Sequence, residues 1–235
     1  MGSPADELGR RSDETQHEVT LTRDFYLQVT EVTQAQWVEV MGSNPSYFSG
    51  CDECPVEYIS RDMAVDYCNT LSASEDLEPA YEVDGGVVSW KREADGYRLP
   101  TESEWEYACR AGSSTAFYNG DIITLSCLDP NLGEIGWNCG NASSKTHPVG
   151  EKRPNAWGLY DMSGNVWEWC WDFYGSYPPS PVTDPTGPAS GTRYIKRGGA
   201  WRESSGDCRS AGQRSHDGHS YREHNLGMRP ARWVR

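Results

Sequence analysis

At 235 residues and 26.3 kDa the chain suits one large domain, or at most two small ones, and is long enough to bury a core. A net charge of -14 opposes a phosphate backbone and so argues against nucleic acid as a partner, and the lack of any run of about 18 apolar residues argues against membrane insertion. Mean hydropathy is low at -0.74, but 10 Trp and 13 Tyr supply large buried areas from few positions, which fits a loop-rich globular chain.

The charge is uneven. From Gly191 onward ten Arg and Lys face four Asp and Glu, so an acidic body carries a basic C-terminal segment. The expectation is that several of these arginines pair internally with acids of the body. The polar start at Met1-Gly2-Ser3-Pro4 does not read as a signal peptide, which leaves a cytosolic chain or one cut from an upstream leader; a secreted or cell-surface location is preferred to a cytoplasmic one.

In chain order, 17–21 and 25–29 alternate polar and apolar residues and read as two short strands around a turn at Thr22-Arg23-Asp24. Thr33 with Gln36 three residues on forms a capping box, and Trp37, Val40 and Met41 then line one face of a helix that Gly42 stops. Residues 43–55 hold Gly, Pro, Asn and two cysteines and read as a loop. Ser60 caps a second helix, ending near Ser74, with Met63, Ala64, Tyr67, Cys68 and Leu71 toward the core. Residues 81–90 resemble a hairpin turning at Asp84-Gly85-Gly86. Thr101 and Glu104 form another capping box, and Trp105, Tyr107, Ala108 and Cys109 carry that helix to Gly112. Beyond Gly112 no helical period appears, so helices are expected in the first half, in an α+β chain with much irregular structure; 177–188 reads as a proline-rich surface loop.

Eight cysteines are too few in 235 residues for a disulfide scaffold. Cys51-Asp-Glu-Cys54 has the spacing of a redox pair, of half a zinc site or of a local disulfide; a Gly/Pro/Ser loop without a second such pair favours a disulfide or free thiols. Cys127 and Cys139 flank one insert and are placed to close it.

Four stretches, in order, carry a resemblance: Arg98-Leu-Pro-Thr-Glu-Ser-Glu-Trp-Glu-Tyr-Ala-Cys-Arg-Ala-Gly112, Asn155-Ala-Trp-Gly-Leu-Tyr-Asp-Met-Ser-Gly-Asn-Val-Trp-Glu-Trp169, Arg197-Gly-Gly-Ala-Trp201 and Asn225-Leu-Gly-Met-Arg229. Together they resemble the formylglycine-generating-enzyme, or sulfatase-modifying-factor, domain over nearly the whole chain. The resemblance implies one domain over 1–235 with a variant of the C-type lectin fold. It also implies a structural Ca²⁺ held by the side chains of Asp161 and Glu168 and the main-chain carbonyls of Gly164 and Val166, a hard-oxygen set suited to that ion. The alternative is that Asp161 caps a turn and Glu168 pairs with an arginine.

Oxidases of this family carry two copper-binding cysteines just after the Gly-Gly motif. Here that stretch reads Trp201-Arg-Glu-Ser-Ser-Gly-Asp-Cys208: Glu203 stands at the first position, the second falls near Ser205 or Gly206, and only Cys208 remains, slightly late. One thiol cannot make a bis-thiolate copper site. Iron-dependent relatives draw their ligands from a separate helical domain, which this sequence does not contain. His216, His219 and His224, with Asp217 and Glu223 between them, could bind a transition metal, though three histidines in a polar loop are more often just exposed. Other relatives, the variable proteins of diversity-generating retroelements, use the C-terminal part of the domain to bind. Here Trp201, Arg202, Glu203, Ser204, Asp207, Ser220, Tyr221 and the His216-to-His224 cluster offer aromatic bulk and adaptable hydrogen bonding within a segment, 197–232, expected to face a ligand. The preferred reading is a non-catalytic, Ca²⁺-stabilised module for a protein or small-molecule ligand. Its rival is a metal-dependent oxidase or oxygenase of the same superfamily.

Overall fold

A computed structural model of the chain describes residues 1–234, with all of their side chains except that of Asp217. The helices begin where side chains can cap them. In α1 (Gln34–Met41) the Thr33 hydroxyl accepts from the Gln36 amide while the Gln36 side chain accepts from the Thr33 amide, and Gly42, with φ of 78°, ends the helix in a left-handed turn. Ser60 accepts from the Met63 amide to start α2 (Arg61–Ser74). Thr101 and Glu104 repeat the reciprocal box at α3 (Glu102–Arg110), where Trp105, Ala108 and Cys109 face the core but Tyr107 is 55% exposed.

A fourth helix, α4 (Pro130–Ile135), lies beyond Gly112, where none was expected. Asp129 caps it and Pro130 opens it, but six residues are too few to display a helical period.

The strands are short and find distant partners. β1 (Val19–Thr20) pairs in parallel with β6 (Val182–Thr183), and β2 (Phe25–Leu27) pairs antiparallel with β10 (Ala231–Trp233). The two N-terminal strands read from alternation therefore exist but do not pair with each other. β3 (Tyr81–Asp84) and β4 (Val87–Trp90) form the expected hairpin across Gly85 and Gly86. The central sheet has the order β8-β7-β5-β9, built from β5 (Trp167–Phe173), β7 (Arg193–Arg197), β8 (Gln213–Asp217) and β9 (Leu226–Gly227). β7 runs antiparallel to both β5 and β8, while β5 and β9 are parallel.

The largest core cluster packs α1, α2 and β5 through Val32, Trp37, Ile59, Tyr67, Trp167 and Trp169. A second joins Trp105, Cys109, Met162 and Ile195, and a third joins Phe117, Leu132, Ile135 and Cys208. Trp37, Trp105, Trp167 and Trp169 are all fully buried, each contributing roughly 4–6 kcal/mol by area. Arg98, Arg197, Arg209 and Arg229 are fully buried as well. Arg98 meets Glu104, Arg197 meets Glu106, Arg209 meets Glu7 and Glu14, and Arg229 meets Glu168. Three of these four cations belong to the basic C-terminal segment, so its charge is in part spent inside, on acids of the body.

Both candidate disulfides are formed, Cys51 to Cys54 and Cys127 to Cys139. Cys68, Cys109, Cys170 and Cys208 are unpaired and buried.

Candidate functional site

The central sheet ends in an open groove of about 410 Å³. β5 gives it Trp167, β7 gives Arg193 and Lys196, and β8 gives 213–216; Arg202, Glu203 and Glu223 close it from the loops after β7 and before β9. Arg11 and Asp13 reach it from the other end of the sequence. The Lys196 ammonium lies 3.3 Å from Glu223 Oε2 and 5.0 Å from the centre of the Trp167 ring. Arg202 donates to Glu223, and the Trp167 indole donates to Glu203 at 3.3 Å. Burial alone would raise the Glu223 carboxyl, but Lys196 and Arg202 outweigh it and hold the group below its ordinary range. Burial pushes the Lys196 ammonium down, against the opposing pull of Glu223.

The structure brings together only part of the expected C-terminal set. Arg202, Glu203, His216 and Glu223 line the groove, and the His216 ring stacks on Tyr221 with centroids 3.9 Å apart. Asp207 sits behind it, 2.6 Å from Arg214 and 3.6 Å from Arg11. Trp201 and His224 turn instead toward the 43–55 loop, where Phe48 packs edge-on against Trp201 at 5.6 Å and Tyr47 lies 5.5 Å from His224. Tyr47 is 70% exposed, so this loop adds an aromatic ledge beside the segment expected to bind. Ser204 is half-buried, Ser220 is exposed, and His219 bonds Asp62 at the start of α2. The side chain of Asp217 lies outside the described residues. His216, His219 and His224 thus have three different neighbours, and among the described residues no three His, Cys, Asp or Glu side chains converge as a metal centre would require.

Lys196, Gln213, Arg193, Arg11, Asp13, Tyr47 and Phe48 were missed by sequence reasoning. No alternation marks 193–197, which reads Arg-Tyr-Ile-Lys-Arg, and nothing local points to Arg11 or Asp13.

The segment 161–168 is shaped by backbone that only certain residues accept. Gly164 has φ of +98°, and a Cβ there would come within 2.3 Å of the Trp137 carbonyl oxygen. The turn places Glu168 on the Arg229 guanidinium, with Asp161 near enough to feel its charge. Glu168 accepts from Arg229 at 2.8–3.1 Å and from the Trp105 indole at 2.7 Å, the arginine pairing that the sequence left open as an alternative. Asp161 accepts from the Gly150 amide at 2.7 Å through Oδ2, while its buried Oδ1 has no partner. Glu31, also fully buried, accepts from the Val166 amide and the Asn165 side chain. Glu168 alone bonds the Arg229 guanidinium, while Glu31 and Asp161 feel its charge from further off. Burial, reinforced by Asp161 and Glu168, pushes Glu31 well up, and burial lifts Asp161 to about 6. Arg229 already occupies Glu168, and among the described residues no three His, Cys, Asp or Glu side chains are placed to hold a metal ion, so the one feature here that invites a cation is the unpartnered Asp161 oxygen.

At the positions where the oxidases place their copper thiols, Glu203 is held by the Trp167 indole and by Arg202 at 3.4 Å. Cys208 packs with Phe117, Leu132 and Ile135 in the third core cluster, under Gly199. At Gly199 φ is +78° and a Cβ would meet the Cys208 sulfur at 2.4 Å, so the Gly-Gly turn lets the sulfur lie directly beneath it.

The family model described as "Sulfatase-modifying factor enzyme 1-like domain" matches residues 1–234. The chain belongs to this family. Among solved structures, Treponema denticola variable protein 1 superposes with a TM-score of 0.88 at 33% identity, covering 100% of this chain and 94% of that one. PvdO from Pseudomonas aeruginosa superposes with a TM-score of 0.79 at 25% identity, covering 100% and 90%. These neighbours carry the C-type-lectin-like fold that the sequence motifs implied. The chain is 37% identical over 217 residues to chaperone protein LppX of Paenibacillus barcinonensis, covering 81% of this chain and 74% of that protein. It is 38% identical over 122 residues to the formylglycine-generating enzyme of Streptomyces coelicolor, covering 45% of this chain and 36% of the enzyme. A serine/threonine-protein kinase, pkn1 of Chlamydia caviae, matches 86% of this chain, which spans 32% of the kinase. In these last two relatives the chain corresponds to about a third of the whole protein.

Proposed function

We propose that this domain is a non-catalytic binding module whose ligand surface is the groove between β7, β8 and the loops carrying Arg202 and Glu223, with the Tyr47-Phe48 ledge beside it. The observation that carries this reading is that Glu203, at the position the resemblance sets against a copper thiol, is bonded to Trp167 and Arg202, while Cys208 is buried away among apolar side chains. A soft copper ion has no pair of sulfurs to hold it there. Similarity to a protein described as variable, and to one described as a chaperone, supports a role in binding rather than turnover. Correspondence to about a third of a kinase fits an accessory domain that can be joined to other modules. The test is copper titration followed by oxygen consumption with cysteine-containing peptides. Neither stoichiometric binding nor turnover is expected, and turnover would overturn the reading.

Calcium enters the proposal as a structural ion at Asp161 and Glu168, with the carbonyls of Gly164 and Val166. The unpartnered Asp161 oxygen and the surplus of carboxylates over Arg229 support it. Exhaustive chelation should lower the melting temperature by several degrees. An unchanged melting curve would mean that protons on Glu31 and Asp161, not a cation, neutralise the cluster.

The two disulfides support work in an oxidising compartment. Thiol titration in denaturant without reductant should find the four unpaired cysteines, and a count of eight would remove that placement.

A further inference from the structure

Several of the groove side chains named above are bonded to one another or to neighbours. Lys196 bonds Glu223, Arg202 bonds Glu223, the Trp167 indole bonds Glu203 and Arg214 bonds Asp207. Gln213, at the start of β8 and opposite Arg197 in the register, is 2% exposed, yet neither its Nε2 nor its Oε1 has a hydrogen-bond partner. A buried amide with both ends unmet is rare in a folded chain, and its natural explanation beside a groove is a group that arrives from outside.

The complement of a fixed donor beside a fixed acceptor is an acceptor beside a donor, the edge of a primary amide, whose carbonyl oxygen and syn N–H lie on one side. The walls add a second requirement. Five cationic side chains line the groove against three acidic ones, on a chain whose net charge is -14. Such a place concentrates small anions that the rest of the surface repels. A volume of about 410 Å³ suits a metabolite-sized molecule rather than a folded partner.

We propose that Gln213 is a specificity-determining contact for a small organic acid that carries an amide, the amide meeting Gln213 and the acid meeting the cationic wall. The proposal rests on the reading of this groove as a binding site and names the class of its ligand.

The probes are N-carbamoylglutamate and glutarate, which share two carboxylates and differ by the ureido group, whose terminal amide presents that edge, with adenosine monophosphate as a nucleotide control. Binding is read from the Gln213 side-chain amide and Trp167 indole signals in proton–nitrogen correlation spectra. N-carbamoylglutamate should shift both signals saturably and bind about tenfold or more tightly than glutarate, one net hydrogen bond or so in value. Gln213→Leu should abolish that preference and leave the affinity for glutarate unchanged. If the variant does not fold, the comparison of the two acids on the unaltered protein decides the matter, with Gln213→Asn, whose shorter amide should weaken only the amide-bearing probe. Equal affinity for the two acids, tighter binding of the nucleotide, or no shift at Gln213 would overturn the amide assignment while leaving the binding module standing. Copper-dependent turnover, in contrast, would remove the module itself.

Discussion

Glu57 illustrates how one side chain ties the body to the site. It is fully buried, and its Oε1 accepts from the Phe48 amide at 2.7 Å while Oε2 has no partner, so it braces the loop that carries the aromatic ledge. Burial raises its carboxyl to about 7, against the hydrogen bonds from the Phe48 and Tyr47 amides. A folded value above the unfolded one means that the protonated form stabilises. That contribution is complete below about 4.5 and disappears as pH rises through about 7. Glu57→Gln, which keeps an acceptor for Phe48 and replaces the orphan oxygen with a donor, should remove this part of the pH dependence. At pH 8 the variant should be the more stable by roughly 2–3 kcal/mol at most. Denaturant unfolding at pH 5 and pH 8 checks both points, and equal slopes with pH for the two proteins would refute the assignment. The type of this residue was visible in the sequence, but its brace on Phe48 was not, because the two meet only when the 43–55 loop folds back.

Among the elements, α3 shows how far local rules reach. Thr101, Glu104, Trp105 and Cys109 occupy the helix as read from the sequence, since caps and helical spacing are decided within one or two turns. Glu104 then does more than cap: it takes both guanidinium arms of the buried Arg98, at 2.7 and 2.8 Å. Thr101→Ala should cost about 1 kcal/mol, a melting shift of some 2–4 °C for a domain of this size, measured by calorimetry. No shift would mean that Glu104 and Arg98 hold the helix start unaided. α4 was missed because six residues give the period no room, and the pairing of β1 with β6 was not legible because alternation marks a strand without naming its partner.

For the whole molecule the decisive contacts join the ends of the chain. Arg209 bonds Glu7 at 2.6 Å and Glu14 at 2.6 and 2.7 Å, fastening the N-terminal segment, and Arg229 donates to the Gln28 carbonyl at 2.9 Å. Arg209→Met strands two acids, Glu7 and Glu14, each at most 4% exposed, and should cost about 3–5 kcal/mol, with early proteolysis of the N-terminal segment. Adding Glu14→Met should recover much of the loss. A single variant within 1 kcal/mol of the parent would mean that the acids take up protons instead.

The sequence by itself determined the helix caps, the β3–β4 hairpin, the fold through its four motifs and the run 201–208 with Cys208 as its single thiol, because each depends on residues close together in the chain. Only the tertiary structure decided that Trp201 and His224 face away from His216, that Glu168 is held by Arg229, and that Gln213 is left unmet at the floor of a groove walled partly by Arg11 and Asp13. Those outcomes depend on which distant strands pair and which buried charges find each other, and no periodicity along a chain records a partner some two hundred residues away.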